Sequence, residues 1–242
     1  MAGSPTGPQP SLLVLPGAMG GGRGPALELL AKGRQVVPFS YGEERALDPM
    51  IDRALDLVEG AERFDILGFS VGGWLGQCLA AREARRVRRL VLAHSFTLNA
   101  GDAWRFALAA RIWPLLPGAL FRRAAHERAR LALREAMRKD PQLGAQALAG
   151  FRAALADPVT LRRLEAQQHL LRDTLRAGDC TASCPILILE GTDDPIVKQP
   201  ARQRLARRYP GAERLVLDGV GHAAALAVPD AFAAAVDRFL RA

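Results

Sequence analysis

No apolar run in this chain approaches the roughly 20 residues that a membrane-spanning helix needs, so no transmembrane segment is expected. The opening stretch, MAGSPTGPQP, lacks the basic and apolar regions of a secretory leader, which points to a cytoplasmic protein. Cysteine is scarce, with only Cys78, Cys180 and Cys184. An odd count without a leader argues against a disulfide framework. Neither Cys180 nor Cys184 has a histidine or cysteine partner at zinc spacing. Free thiols and no metal site are therefore expected, and no cofactor.

Aromatic residues make up 6% of the chain, and lysine occurs only at Lys32, Lys139 and Lys198. Arginine supplies most of the net charge of +8, and it is dispersed along helical stretches rather than packed in one tract. That pattern excludes no partner by itself, but it lacks the clustered basic and aromatic face of a nucleic-acid binder. No nucleic-acid partner is expected. Residues 97–181 hold fourteen Lys/Arg against eight Asp/Glu, so +6 of the +8 sits there. A solvated basic face accounts for this, or an attraction for an anionic substrate or partner.

What the chain does contain is a rhythm. Six short apolar runs recur: SLLVLPG (11–17), RQVVPFSY (34–41), RFDILGFS (63–70), VRRLVLAHSF (87–96), PILILEG (185–191) and AERLVLDGVG (212–221). Each ends in small or turn-forming residues, as strands buried on both faces do. Between them lie helix-like stretches at 24–33, 45–60, 72–84, 199–209 and 229–241. Alternation of this kind predicts an α/β fold, with a mostly parallel sheet covered by helices on both faces. Residues 97–181 break the alternation with helical segments and no strand pattern. A structureless loop of that length is implausible. The expected organisation is a loose tail over 1–10, a core from 11–96 and 182–242, and a helical cap over 97–181.

The segment DILGFSVGGWLGQCLA reads as strand, sharp turn and helix, with Ser70 at the turn. G-x-S-x-G in that setting is a nucleophile elbow, which raises the serine hydroxyl above the sheet. Gly68 and Gly72 carry no side chain where strand and helix pass closely. A serine needs a base. Of His94, His126, His169 and His222, the last follows the final strand on a glycine-flanked loop. His222 is the expected base, and His94 is expected to line the pocket. The carboxylate that orients the base should lie in GTDDPIV, after the fifth run. Asp194 is preferred, with Asp193 as the alternative. Oxyanion donors are expected at the backbone N–H of Val71 and, in the loop LPGAMGGG, at Ala18, with Met19 beside it. In the cap, the apolar stretch around Trp104, Ile112 and Trp113 is expected to form part of an acyl pocket.

These motifs, LPGAMG, GFSVGG, GTDDPIV and GVGHAAAL, resemble those of the α/β-hydrolase superfamily over residues 11–242. LAHSFTLNAG, WPLLPGALFRR and RRYPGAERLVLDGVGH resemble the maspardin-like group. The superfamily resemblance implies the chain order Ser70, Asp194, His222 and a small-molecule acyl substrate. It implies hydrolysis of an ester or thioester, with amide or carbon–carbon bond hydrolysis open on the same machinery. The maspardin resemblance implies an alternative, a protein-interaction module with little or no catalysis. Many superfamily members carry His-Gly where Pro16-Gly17 stands here, and the N-terminal hairpin usual before this strand is absent. A shorter sheet is expected for that reason. Oligomeric state is not legible in the sequence.

Overall fold

The computed structural model describes residues 9–18, 23–98, 108, 111–112, 115, 118–174 and 180–242, without the side chains of 168–170 and 172–174. All six apolar runs form strands: β1 Leu12–Leu15, β2 Val36–Pro38, β3 Phe64–Phe69, β4 Val87–Ala93, β5 Ile186–Gly191 and β6 Glu213–Leu217. They make one sheet in the order β2-β1-β3-β4-β5-β6, and every neighbouring pair is parallel.

Alternate residues of the central strands feed two cores. Leu13, Leu15, Ile66, Leu90, Leu92 and Ile188 point to one face. They pack against Met50 and Ile51 of α2 (Leu47–Asp56) and Trp74, Leu75 and Leu79 of α3 (Val71–Arg82). Leu12, Val14, Leu67, Val91, Leu187 and Leu189 point to the other. That face is covered by α1 (Pro25–Ala31) and by the C-terminal helix Pro229–Arg241 through Phe232, Val236 and Phe239. The expectation of strands buried on both faces fails at the sheet margins. β2 is only partly buried, and Val216 of β6 is 47% exposed. An edge strand has one neighbour and incomplete cover, so its alternate residues reach solvent.

Between β4 and β5 the described chain is helical: α4 Gly118–Ala132, α5 Arg134–Lys139, α6 Pro141–Ala154 and α7 Pro158–Thr174. Asp140 starts α6 by accepting a 2.9 Å bond from Leu143 N–H, with Pro141 in the first turn. The core resumes through β5, α8 (Gln199–Arg208), β6, the short α9 (Ala224–Ala227) and α10 (Pro229–Arg241). No described helix is long and apolar enough to cross a membrane.

The cysteine expectation is corrected. Cys78 on α3 and Cys180, just before β5, form a disulfide with Cα atoms 4.3 Å apart. They are separated by 102 residues, so their meeting depends on the fold and leaves no trace in local spacing. Cys184 alone is free. An odd count therefore does not mean that all three are thiols, and one support for a reducing compartment falls away.

Candidate active site

Ser70 stands where β3 becomes α3, with φ of 50°. Among the described residues only Ser70 and His94 combine a side chain with positive φ. Such backbone costs energy and survives where its surroundings fix it. Here Ser70 N–H donates to Ala93 O at 3.0 Å, and Ser95 Oγ donates to Ser70 O at 2.8 Å. A Cβ on Gly68 would strike the backbone of Gly72 and Gly73, and one on Gly72 would strike the carbonyls of Leu15 and Pro16. The two glycines of the motif are thus required by close passage of strand, helix and first loop.

The loops after β5 and β6 are fastened together. Thr192 N–H donates to Leu217 O and Asp193 N–H to Val220 O, both at 3.1 Å, and Gly219 N–H donates to Thr192 Oγ1 at 2.8 Å. This brings Asp194 to His222, whose Nδ1 lies 2.8 Å from Asp194 Oδ2. Asp194 Oδ1 accepts from the backbone N–H groups of Ile196 and Val197, at 2.8 and 2.9 Å. Asp194 is buried, whereas Asp193 is exposed and accepts from Thr192 Oγ1. Among the described residues, Asp194 and not Asp193 bonds an imidazole.

His94 is among the residues that line the cavity, and it makes a contact the sequence did not suggest. Its Nδ1 lies 3.2 Å from the same Oδ2 of Asp194. Burial would raise the Asp194 carboxyl, but hydrogen bonds from His222 and His94 outweigh it and hold the group well below the usual carboxylate range. For His94, burial dominates and lowers its proton affinity despite the bond to Asp194. His94, Asp194 and His222 are also the one group of described donors close enough together for a metal ion. Both Nδ1 atoms are already engaged by the carboxylate, which accounts for the cluster without one.

Ser70, Val71, His94 and His222 line one cavity of about 1740 Å³, along with Gly17 and Ala18 of the first loop. No hydrogen bond joins Ser70 Oγ to either imidazole among the described residues. Such contacts are often long until substrate is bound. Neither Val71 N–H nor Ala18 N–H donates to a described residue. Tyr41 OH supports the first loop by donating to Pro16 O at 2.8 Å. Gln77 Nε2 donates to Phe96 O at 2.9 Å and to Gly73 O at 3.2 Å, tying the segment after β4 to the elbow helix. Sequence reading missed Tyr41, Gln77 and Ser95, because polar residues that brace a loop carry no motif.

Met19, Trp104 and Trp113 lie outside the described residues. Ile112 is 43% exposed and is not part of the cavity wall. Among the described residues, the insertion contributes apolar lining through Phe121, Leu133, Met137, Phe151 and Leu164. Glu135 of α5 approaches the His222 loop closely enough that a Cβ on Gly221 would lie 3.3 Å from its own Cβ.

Residues 12–235 match the family model described as "Alpha/beta hydrolase family". The chain is 28% identical over 196 residues to the pimeloyl-[acyl-carrier protein] methyl ester esterase of Nitrosomonas europaea, covering 79% of this chain and 76% of that one. It is 32% identical over 179 residues to the enzyme of the same name from Neisseria meningitidis, covering 70% and 54%. The enol-lactonase of Burkholderia xenovorans LB400 superposes with a TM-score of 0.75 at 20% identity, over 98% of this chain and 93% of that one. None of these is a maspardin, and the finer resemblance draws no support from them. With its family model spanning both loops of the site and its parallel sheet intact, the chain belongs to the alpha/beta hydrolase family.

Proposed function

We propose that the protein is a serine hydrolase acting on an ester or thioester of a small organic acid. One observation carries this reading: a serine held at φ 50° on the elbow shares a cavity with a histidine bonded to a buried carboxylate. Ser70 Oγ attacks the acyl carbonyl while His222 takes its proton. Asp194 fixes the His222 tautomer and stabilises the imidazolium. The N–H groups of Val71 and Ala18 receive the oxyanion. His222 then protonates the leaving alcohol or thiol, and water releases the acid from Ser70. We take residues 97–181 as a cap that covers this chemistry. The curated relatives' name supports an ester substrate, since it specifies a methyl ester of an acyl group on a carrier protein.

The test is covalent labelling with a fluorophosphonate, followed by turnover of a panel of acyl esters and acyl thioesters. Wild type should label and turn over, and Ser70→Ala should do neither while remaining folded. Exposed leucines on the insertion, Leu115 at 80% and Leu120 at 54%, favour the second reading of an interaction module. A folded wild type that resists labelling and hydrolyses nothing in the panel would favour that reading and exclude the first.

A further inference from the structure

Asp194 Oδ2 serves two imidazoles, and the proposed reaction uses one of them. His94 directly follows β4, with φ of 49°, a conformation that side chains disfavour. Two bonds accompany it: His94 N–H to Leu189 O at 2.8 Å, and Nδ1 to Asp194 Oδ2 at 3.2 Å. The side chain is 2% exposed, and Nε2 has no hydrogen-bond partner among the described residues. An imidazole donating from Nδ1 keeps only a lone pair at Nε2, which tolerates burial. An imidazolium would bury an unpaired N–H there. The environment therefore selects a neutral donor, and an ionised carboxylate is the acceptor it meets.

The rings of His94 and His222 are 5.7 Å apart at 69°. The other charges that bear on His94 are Asp194 and His222, from the loops after β5 and β6, and Glu190 on β5, which is paired with Arg214 of β6 at 3.0 Å. On the cap side, Arg138 of α5 acts on Asp193 in the Asp194 loop.

We propose that His94 is a positioning residue that holds the Asp194 carboxylate for His222 through its Nδ1–H. The backbone donors of Ile196 and Val197 fix Oδ1, and His94 fixes the rotation that presents Oδ2. It also draws on the same oxygen as His222. Losing His94 should therefore alter the bond from His222 to Asp194 and leave the carboxylate less well aimed. The functional meaning rests on the hydrolase reading above, whereas the link itself does not.

Two variants test it. His94→Gly accepts the positive φ without a β-carbon and removes the donor. His94→Asn tolerates that backbone better than most side chains and keeps an N–H near the place of Nδ1. Histidine-selective NMR follows the ring N–H protons of His94 and His222 in wild type and both variants, and kcat and KM are measured in parallel. In wild type the His94 signals should stay those of the neutral Nδ1–H form across the neutral range, and His222 should show the downfield Nδ1–H signal of a proton bonded to Asp194. In His94→Gly that His222 signal should move or broaden, and kcat should fall on the order of 10- to 100-fold with KM little changed. His94→Asn should return both most of the way. An unmoved His222 signal in folded His94→Gly, or an Asn variant no better than the Gly variant, would overturn the inference. The signal needs no turnover. A moved signal in an inactive protein keeps the His94 link and defeats the hydrolase reading; turnover with an unmoved signal does the reverse.

Discussion

Ser95 Oγ donates a 2.8 Å hydrogen bond to the backbone carbonyl of Ser70, the residue whose φ is 50°. The same carbonyl accepts from Gly73 and Trp74 N–H, at 3.1 and 3.3 Å. Ser95 is 2% exposed, and it occupies the space that a side chain on Gly73 would need. The first turn of α3 is thereby held from below while Ser70 keeps its unfavourable backbone. Ser95→Ala should cost about 1 kcal/mol of stability, the net worth of one buried bond. It should lower kcat by roughly tenfold by loosening the elbow, with a smaller effect on KM. Urea midpoints and steady-state kinetics check this. Unchanged kcat with reduced stability would confine Ser95 to a purely structural part.

Asp194 should also mark the acid limit of the fold. Burial alone would raise its carboxyl, yet His222 and His94 hold it below the ordinary range. A carboxyl whose folded value lies below its unfolded value of about 3.9 contributes stability in full above the unfolded value. The contribution is lost as pH falls below about 4 toward the folded value. Wild-type stability should therefore decline from about pH 5 downward. Asp194→Asn should be less stable at neutral pH and flatter through that window. Its kcat should fall by about 10⁴-fold, and Asp193→Asn should stay within severalfold of wild type. Denaturant midpoints against pH, with kinetics on both variants, are the measurements. A larger loss for Asp193→Asn would reverse the roles of the two aspartates.

The strands and the positions of the candidate site residues along them were legible because each marker is local. Ser70, Asp194 and His222 all follow an apolar run within a few residues, and that places them at one edge of a parallel sheet. Choosing Asp194 over Asp193 in the sequence was a preference, whereas burial and the bond to His222 separate them in space. What stayed hidden depends on distant loops meeting. His94 and Asp194 are 100 residues apart, Gln77 and Tyr209 are 132 apart, and the two bonded cysteines are 102 apart. No periodicity records such encounters. The cap misled for another reason: Ile112 has the hydrophobicity of a pocket residue, but hydrophobicity does not say which face a helix turns inward.

The Cys78–Cys180 disulfide ties the segment that follows the helical insertion to α3, the helix after Ser70. Closing 102 residues should contribute roughly 3–5 kcal/mol by restricting the unfolded chain. Reduction should lower the melting temperature by about 10 °C for a chain of this size, and Cys180→Ser should melt at the same lowered temperature with or without reductant. Cys184 should not interfere, because burial pushes its thiol up to about 11 and leaves little thiolate near neutral pH. Melting with and without reductant, plus alkylation counted by mass spectrometry, tests this. A wild-type melt that ignores reductant would remove the disulfide from the account of stability.

The cavity wall makes the sharpest statement about substrate. Phe121, Leu133, Met137, Phe151 and Leu164 supply an apolar surface from four helices of the insertion, and Arg128, Arg134 and Lys198 stand along the same cavity. Arg128, Arg134 and Lys198 form no ion pair among the described residues. An acyl chain entering this space buries about 0.8 kcal/mol per methylene, which is close to fourfold in kcat/KM for each one added. The gain should end when the wall is filled. Phe151→Ala should flatten the slope by removing surface the chain would cover. The cations add a second dependence. An ester whose acid carries a free terminal carboxylate should outrun its neutral counterpart by roughly tenfold at low ionic strength, and added salt should erase most of that lead. Measuring kcat/KM across matched neutral and carboxylated esters, at two salt concentrations, separates the two terms. A length profile that is flat would exclude the wall as an acyl site. A carboxylate preference that survives salt would place the recognising charge in a buried pair rather than on these exposed side chains, because only screened charges lose their pull when salt is added.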